Sequence, residues 1–258
     1  MITAGIDMGA KFVKVLLLKD GETVARTQEL VGFEPREAAE RAYQKALGEA
    51  GVTEQDINAA YATGAGRKTA PYAKDSITEV SATAKGMART HPAVRTIIDI
   101  GAEEGRAVKC DDKGKVQDFA VNEKCAAGAG SFTEAMARAL EVPLEEFGKL
   151  SLQSDKSIPM NAQYAVFAES EMVSLTHAKT PKADIARAVH DAIASRIVSM
   201  VRRVGINKDV ALVGGVSNNV GFVDSLNRGL ETEVIIPENP EYVGALGAAI
   251  IAGERTAS

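Results

Sequence analysis

The sequence predicts an α/β protein in which one folding unit occurs twice. Short apolar strands alternate with helical stretches, and a strand ending in Asp-x-Gly leads into a hairpin twice, at Asp7-Met8-Gly9 and at Asp99-Ile100-Gly101. No low-complexity linker separates the two copies. We therefore predict a first lobe of residues 1–90, with the C-terminal helix 241–258 packed back on it, and a second lobe of residues 91–240, with a cleft between the lobes.

The first lobe is predicted to contain four strands and two helices. Asp20-Gly21 is a tight-hairpin signal between the second and third strands. Pro35 is suited to the first turn of a helix, and Gly51 is placed to cap that helix at its C-terminus. The predicted strands cover residues 2–6, 11–18, 23–30 and 57–63, and the predicted helices cover residues 35–50 and 77–90.

The second lobe repeats the strand and hairpin pattern and adds more helices. Asp112-Lys113-Gly114 marks its hairpin turn, and residues 151–159 are predicted as a loop. The predicted strands cover residues 96–100, 105–110, 115–121, 210–213 and 234–236. The predicted helices of this lobe cover residues 131–140, 166–179, 184–204 and 222–230, and the glycine- and alanine-rich helix 244–253 belongs to the C-terminal segment that packs back on the first lobe.

Composition excludes several classes of protein. The chain has 258 residues and a net charge of −5, which argues against nucleic-acid binding and against a polybasic membrane surface. Its apolar stretches fall well short of the roughly 20 residues that a membrane span needs. No signal peptide is visible, and two cysteines cannot form a disulfide framework. We therefore expect a cytoplasmic protein that binds neither nucleic acid nor membrane.

The two Asp-x-Gly turns predict a nucleotide site. A carboxylate at the carboxyl end of a strand holds Mg²⁺ directly or through water, so Asp7 and Asp99 are candidate catalytic and Mg²⁺-binding residues. Glycine lets backbone amides approach a phosphate closely. Either turn alone is also compatible with an ordinary hairpin. The candidate phosphate-binding residues share a place in these turns and are Gly9, Ala10, Lys11, Gly101 and Ala102.

Charged residues near these turns have two interpretations each. Lys14 either reaches a phosphate or faces solvent from its strand. Glu103 either positions the attacking water and binds Mg²⁺ or is a solvated surface carboxylate. His177 and His190 are isolated on predicted helices and are not expected to bind a metal.

A third turn, Gly214-Gly215, follows a strand and precedes a helix. Together with Val216 and Asn218 it is similar to the adenosine-contacting turn of nucleotide-binding folds. The alternative is a strand-to-helix loop that requires small residues. Residues 244–249 form a stretch of small side chains suited to close helix packing.

Cys125 lies in a loop of alanine and glycine just before a predicted helix. A helix N-terminus stabilises negative charge and lowers the pKa of a thiol. Anionic iron–sulfur clusters need thiolate ligands and backbone donors. Cys125 is therefore a candidate cluster ligand, although a lone cysteine in a loop is more often structural.

The order of these motifs resembles that of the acetate kinase, sugar kinase, heat-shock-seventy and actin superfamily of ATPases over nearly the whole chain. The resemblance implies a two-lobed actin-like ATPase fold, with duplicated ribonuclease-H-like subdomains and a nucleotide cleft between them. Residues 122–130 and 166–171 resemble one branch, the ATP-dependent activators of 2-hydroxyacyl-CoA dehydratases and the ATPase subunits of benzoyl-CoA reductase. Residues 2–7 and 99–107 look most like the D-type subunit of that reductase.

This resemblance implies an ATPase that drives electron transfer. In the branch, two subunits share one [4Fe-4S] cluster at their interface, and each contributes two cysteines. The implied cofactors here are ATP or ADP, Mg²⁺ and that cluster, with Cys125 as a ligand. The implied partners are a homologous A-type subunit, catalytic subunits that carry the acyl-CoA site, and ferredoxin as electron donor. The implied function is ATP-driven, anaerobic reduction of an aromatic acyl-CoA of the benzoyl-CoA type.

One departure from the family pattern puts the cluster in question. The second cysteine of the family stands just before the stretch 166–171, and here Tyr164 occupies that position. Three outcomes are open: a partner subunit supplies further ligands, Tyr164 or water fills the fourth ligand position, or the cluster is absent. Two copies of Cys125 are too few for a four-cysteine site, which favours a heterodimer. The alternatives are a dehydratase activator, a small-molecule kinase of the same superfamily, and a regulatory ATPase without a cluster.

Overall fold

The computed structural model describes residues 1–122, 129–161 and 165–257. Their internal contacts divide the chain into two compact units. Unit 1 consists of Met1–Ile97, Val108–Phe119 and Pro237–Ser258, and unit 2 consists of Ile98–Ala107 and Ala120–Ile236. The lobe boundaries given above stay a prediction.

The described residues contain nine strands and eight helices. The strands are β1 (Ile2–Met8), β2 (Phe12–Lys19), β3 (Glu22–Leu30), β4 (Ala59–Thr63), β5 (Asp75–Ser76), β6 (Thr96–Ile100), β7 (Gly105–Cys110), β8 (Val116–Asn122) and β9 (Val210–Val213). The helices are α1 (Pro35–Ala50), α2 (Glu79–Thr90), α3 (Ala129–Ala139), α4 (Leu144–Ser151), α5 (Ala165–His177), α6 (Lys182–Val204), α7 (Val220–Leu230) and α8 (Val243–Ala257).

The first sheet has the strand order β3-β2-β1-β4-β5. β1 is antiparallel to β2 and parallel to β4, and this register places Asp7 opposite both Lys14 and Thr63. Paired residues of neighbouring strands point to the same side of a sheet. The three side chains therefore lie on one face of the sheet, near the carboxyl ends of β1 and β4.

Different helices cover the two faces of this sheet. On one face, Ile6 and its neighbours pack against the alanine-rich helix α1, which ends before Gly51 at φ +65°. On the other face, α8 approaches β1 so closely that a Cβ on Gly5 would lie 1.8 Å from the carbonyl oxygen of Ala245. Glycine at position 5 therefore seats α8 against the face that carries Asp7.

The second sheet has the strand order β8-β7-β6-β9. This order matches β3-β2-β1-β4 in the first sheet, so the predicted duplication is confirmed. Apolar side chains of β6 and β9 pack with α3, α4, α6 and α7 into the core of unit 2, where Phe147 and Phe222 are fully buried.

Most predicted elements occur where the sequence places them. α1, β6, β7 and β9 have the predicted bounds, and most other ends differ by at most two residues. α8 continues to Ala257, beyond its predicted end at residue 253. The predicted strand at 234–236 is wrong, since only Ile235 forms a bridge there, parallel to Ala211. Pro237 follows and has no N–H to continue the pairing.

No described helix is long and apolar enough to cross a membrane.

Candidate functional site

The first candidate site lies at the carboxyl end of β1 in unit 1. Lys14 Nζ lies 3.3 Å from Asp7 Oδ2, and the two side chains are only 16% and 17% exposed. Lys14 therefore points toward Asp7 rather than into solvent. A cation held beside a carboxylate at a strand end is also placed to meet a phosphate.

Glycines bring the backbone close to this carboxylate. Gly64 follows β4 with φ +91°, and a Cβ there would lie 2.6 Å from Asp7 Oδ1. At Gly9 a Cβ would lie 2.8 Å from the carbonyl oxygen of Phe12. A side chain would therefore clash at either position, and at Gly64 it would clash with the carboxylate itself.

The second candidate site lies at the carboxyl end of β6 in unit 2. Arg106 Nη1 lies 3.7 Å from Asp99 Oδ2, and the same guanidinium pairs with Glu104. Gly214 follows β9 with φ +87°, and a Cβ there would lie 3.0 Å from Asp99 Oδ1. The carboxylate is again flanked by one cation and one glycine at positive φ.

The two sites are copies of one arrangement. Each has an aspartate at the end of a central strand, a cation seven residues later on the next strand, and a positive-φ glycine directly after the fourth strand. Equivalent residues in the two copies are Asp7, Lys14 and Gly64 in unit 1 and Asp99, Arg106 and Gly214 in unit 2.

Arg106 and Gly64 are site residues that the sequence patterns do not single out. The signal for Arg106 was present, because it follows Asp99 by the same spacing at which Lys14 follows Asp7. The signal for Gly64 was its place after the fourth strand, as for Gly214, but only the structure shows that both glycines touch the aspartates.

The turn after β6 is joined to the start of α3. The amide of Gly101 donates to the carbonyl oxygen of Glu104 at 2.9 Å, which leaves Ala102 and Glu103 at the tip, with Glu103 exposed. The amides of Gly130 and Ser131 donate to the carbonyl oxygens of Gly101 and Ala102 at 3.2 and 3.0 Å. The phosphate-binding turn predicted at Gly101 is therefore fixed to the first turn of α3.

Close packing at this junction requires a glycine. A Cβ on Gly130 would lie 2.9 Å from Ala102 Cα and 3.0 Å from the Gly101 oxygen. Gly130 follows Cys125 by five positions in the sequence.

The predicted adenosine-contacting residues lie on two sides of their turn. Gly215 and Asn218 are exposed, and a Cβ on Gly215 would meet open space. Val216 is 8% exposed and packs in the core of unit 2. Gly215 and Asn218 are thus the members of this group that face outward.

The donor set fits Mg²⁺ held largely by water and phosphate. No three His, Cys, Asp or Glu side chains gather into a metal site within the described ranges. Mg²⁺ keeps several waters and takes one or two carboxylates together with substrate phosphates. Asp7 and Asp99 each offer one carboxylate, and Thr63, the register partner of Asp7, has a buried hydroxyl without a hydrogen-bond partner among the described residues.

The cluster prediction falls on residues that the structure does not describe. Cys125 and Tyr164 both lie outside the described residues. Cys110 is described: it is 2% exposed on β7, and burial raises the pKa of its thiol. A buried thiol of this kind does not fit a thiolate ligand.

Comparisons with known proteins place the whole chain in one group. The model of the BadF/BadG/BcrA/BcrD ATPase family matches residues 4–252. The chain is 40% identical over 254 residues to the activator of lactoyl-CoA dehydratase from Anaerotignum propionicum, with 98% of each chain covered. It is 31% identical over 261 residues to the D-type subunit of benzoyl-CoA reductase from Thauera aromatica, with 96% of this chain and 92% of that one covered.

Solved structures show the same relationship. The activator of the 2-hydroxyisocaproyl-CoA dehydratase from Clostridium difficile, with bound ADPNP, matches with a TM-score of 0.92 at 36% identity, covering 100% of this chain and 96% of that one. A ROK family glucokinase from Streptomyces griseus matches at 15% identity with a TM-score of 0.61, covering 98% of this chain and 100% of that one. The second match shows the fold alone, and the predicted actin-like ATPase fold is confirmed.

Proposed function

The chain belongs to the BadF/BadG/BcrA/BcrD ATPase family, and from that premise we propose that it hydrolyses ATP to activate an enzyme acting on a 2-hydroxyacyl-CoA thioester. The duplicated aspartate, cation and glycine arrangement carries this proposal, because it supplies matched groups for phosphate and Mg²⁺ in both copies. The identity of 40% to a dehydratase activator, against 31% to a component of benzoyl-CoA reductase, favours the dehydratase branch. The role in the reductase that the sequence predicts has weaker support.

The chain's own residues supply positioning and charge. Lys14 and Arg106 hold the two carboxylates in place and balance the charge of phosphate oxygens. The backbone at Gly9 and Gly101 approaches the phosphates. Glu103, which is exposed at the tip of the Gly101 turn, is placed to contact the nucleotide or the attacking water. Bound Mg²⁺ supplies neutralisation of the developing phosphate charge.

The junction of the second turn with α3 supports coupling to a redox centre. The Gly101 turn and the first residues of α3 share two backbone hydrogen bonds, and Cys125 precedes Gly130 by five positions in the sequence. A change in the nucleotide contacts at Asp99 therefore has a short covalent and hydrogen-bonded route to Cys125. Such a route is what an ATP-driven electron carrier requires.

The partners follow from the cysteine count. Cys125 is the one cysteine of this chain suited to a [4Fe-4S] cluster, since Cys110 is buried on a strand. We infer a heterodimer in which a homologous ATPase supplies the remaining ligands, with ferredoxin as electron donor and a separate catalytic protein that carries the acyl-CoA.

Reconstitution under anaerobic conditions tests this function. The protein, with its partner ATPase, is mixed with reduced ferredoxin, MgATP and the catalytic subunits of either 2-hydroxyacyl-CoA dehydratase or benzoyl-CoA reductase. We expect ATP-dependent turnover with the dehydratase, and none with Asp99→Asn. Turnover with the reductase alone would restore the D-type interpretation, and turnover without ATP would contradict the proposal.

A further inference from the structure

We propose that Arg67 is a positioning residue, which binds the carbonyl oxygen of Gly64 and thereby presents the amide of Ala65 to a phosphate oxygen of ATP. The inference rests on the proposed ATPase function and adds a backbone donor to the site in unit 1. Arg67 follows the turn after β4, and no pattern in the sequence assigns it a role.

Arg67 binds the carbonyl group of Gly64 twice. Its backbone amide donates to that oxygen at 3.2 Å, and its side-chain Nη1 donates to the same oxygen at 3.0 Å. Nη1 also pairs at 3.1 Å with Glu79, which is the first residue of α2. The side chains of Arg67 and Glu79 are only 26% and 19% exposed, so the carbonyl group is held in one orientation.

Unit 2 has the same arrangement around its equivalent glycine. Ser217 follows Gly214 by three residues, as Arg67 follows Gly64. The backbone amide of Ser217 donates to the carbonyl oxygen of Gly214 at 3.2 Å, and its hydroxyl donates to the same oxygen at 2.6 Å. Because a serine is sufficient in unit 2, the feature common to both copies is a second donor and not a positive charge.

The bound carbonyl group fixes the direction of the next amide. In a trans peptide unit the C=O and N–H bonds point in opposite directions, so the N–H of Ala65 points away from the donors of Arg67. Ala65 is exposed, and no backbone acceptor for its amide occurs among the described residues. The equivalent residue of unit 2, Gly215, is exposed as well. The contact made by Arg67 therefore leaves the amide of Ala65 available to a ligand.

This amide lies near the carboxylate of the candidate site. A Cβ on Gly64 would lie 2.6 Å from Asp7 Oδ1, and Ala65 N is three covalent bonds from that Cβ position. The amide nitrogen of Ala65 therefore lies within about 7 Å of Asp7 Oδ1. Since Lys14 lies beside the same carboxylate, a phosphate that meets this cation is within reach of the amide as a further donor.

Two substitutions of Arg67 separate the second donor from the positive charge. Arg67→Met removes the donor, the charge and the ion pair with Glu79, and it keeps an unbranched side chain of similar length. Arg67→Ser removes the charge and the ion pair but copies Ser217 of unit 2. A hydroxyl makes such a contact in unit 1 too, because the amide and Oγ1 of Thr69 both donate to the carbonyl oxygen of Gly66 at 2.9 Å.

Isothermal titration with ADPNP in the presence of Mg²⁺ measures the effect on nucleotide binding. We expect the dissociation constant of Arg67→Met to rise about fivefold or more, because a misdirected amide loses its hydrogen bond to the phosphate. Arg67→Ser should stay within about twofold of the wild type. Glu79→Gln, which removes the charge of the ion pair and keeps Arg67, should also stay within about twofold.

Thermal unfolding without nucleotide separates positioning from stability. Arg67→Met and Arg67→Ser both lose the partly exposed ion pair with Glu79, so each should melt within a few degrees of the wild type and of the other. A purely structural role would instead lower the melting temperature of Arg67→Met and leave its dissociation constant unchanged at room temperature.

Three results would overturn the inference. Wild-type affinity in Arg67→Met would show that the second donor is not needed, and equal losses in Arg67→Met and Arg67→Ser would assign the effect to the charge of the arginine. An equal loss in Glu79→Gln would assign it to the ion pair. These three results leave the proposed function intact, whereas a wild type that binds no ADPNP would contradict that function and this inference with it.

Discussion

In unit 1 the Asp-x-Gly turn lies beside the start of α8, whereas in unit 2 the equivalent turn is hydrogen-bonded to the start of α3. A Cβ on Gly244 would lie 3.8 Å from Asp7 Oδ2, but no backbone hydrogen bond between α8 and the Gly9 turn occurs among the described residues. In unit 2, the amide of Gly130 donates a hydrogen bond to the carbonyl oxygen of Gly101. The two copies therefore share the arrangement of aspartate, cation and glycine, and they differ in the helix that lies beside the turn.

The buried residue at the end of the fourth strand also differs between the two copies. Unit 1 has Thr63, with an unpartnered hydroxyl, and unit 2 has Val213. The copy with the hydroxyl lies in unit 1, and the copy with the apolar side chain lies in unit 2, whose Gly101 turn is hydrogen-bonded to the start of α3. The two copies therefore differ in the polarity of this buried position as well as in the helix beside the turn.

Replacing the cysteines gives the largest expected effect, because it is all or none. In the native heteromer purified without oxygen, Cys125→Ser should lose the iron and sulfide of the shared cluster, since a serine cannot replace the thiolate. Cys110→Ser is the matched control and should retain them, because Cys110 is buried on β7. Loss of iron in the control alone would assign the ligand to the wrong cysteine.

Replacing the two glycines of positive φ, Gly64 and Gly214, tests whether both copies need glycine at this position to the same degree. In Gly64→Ala the new Cβ would lie 2.6 Å from backbone atoms, and in Gly214→Ala it would lie 2.3 Å from them, in each case at a residue of positive φ. We expect each to lower the free energy of unfolding by about 3 kcal/mol. Urea denaturation measures the change.

Gly51→Ala is the control for these variants. Gly51 has φ +65° and open space at its Cβ position, so only the backbone strain of about 1 kcal/mol should remain. Equal losses in Gly51→Ala and Gly64→Ala would show that close approach to the aspartate is not what requires glycine.

Acid should destabilise unit 2 through His190. The side chain is fully buried, its Nδ1 lies 2.7 Å from the carbonyl oxygen of Ala186, and burial lowers its pKa to about 4. The unfolded chain takes up a proton near pH 6.5 while the folded chain does not, so stability is lost as pH falls from about 6.5 to 4. The loss amounts to about 3 kcal/mol.

His190→Gln removes this dependence, and urea denaturation at pH 7 and at pH 4.5 measures it. We expect the wild type to lose about 2 kcal/mol more than the variant between these values. A variant with the wild-type pH dependence would show that another group titrates. Unit 1 offers no comparable group, because its histidine, His91, is not buried.

Sequence patterns predicted an element correctly where a single hydrophobic periodicity dominates its segment. α1 begins at Pro35 and ends before Gly51, and both signals are local, so its bounds were predictable. α4 was not predicted, because it has only eight residues, although Pro143 and the acidic residues of its first turn mark its start. The strand predicted at 234–236 is reduced to one bridge by Pro237.

The candidate site was only half predictable. Asp7, Asp99 and Gly214 stand in recognisable turns, and the sequence marks them. The place of Thr63 opposite Asp7 depends on a register between parallel strands whose paired residues are 56 positions apart. The contact of Gly130 with Gly101 likewise joins segments far apart in the chain. No local pattern carries such information, since it arises only when the strands pair.

The central claim, that both Asp-x-Gly turns belong to one ATPase, is tested most directly by phosphate release from MgATP. We expect Asp7→Asn and Asp99→Asn each to lower kcat by about a hundredfold or more, because each removes a charge that orders phosphate and Mg²⁺. Both variants should stay folded by circular dichroism, and Asp112→Asn, on the exposed turn between β7 and β8, should keep the wild-type rate. A near wild-type rate in either Asp7→Asn or Asp99→Asn would contradict the account.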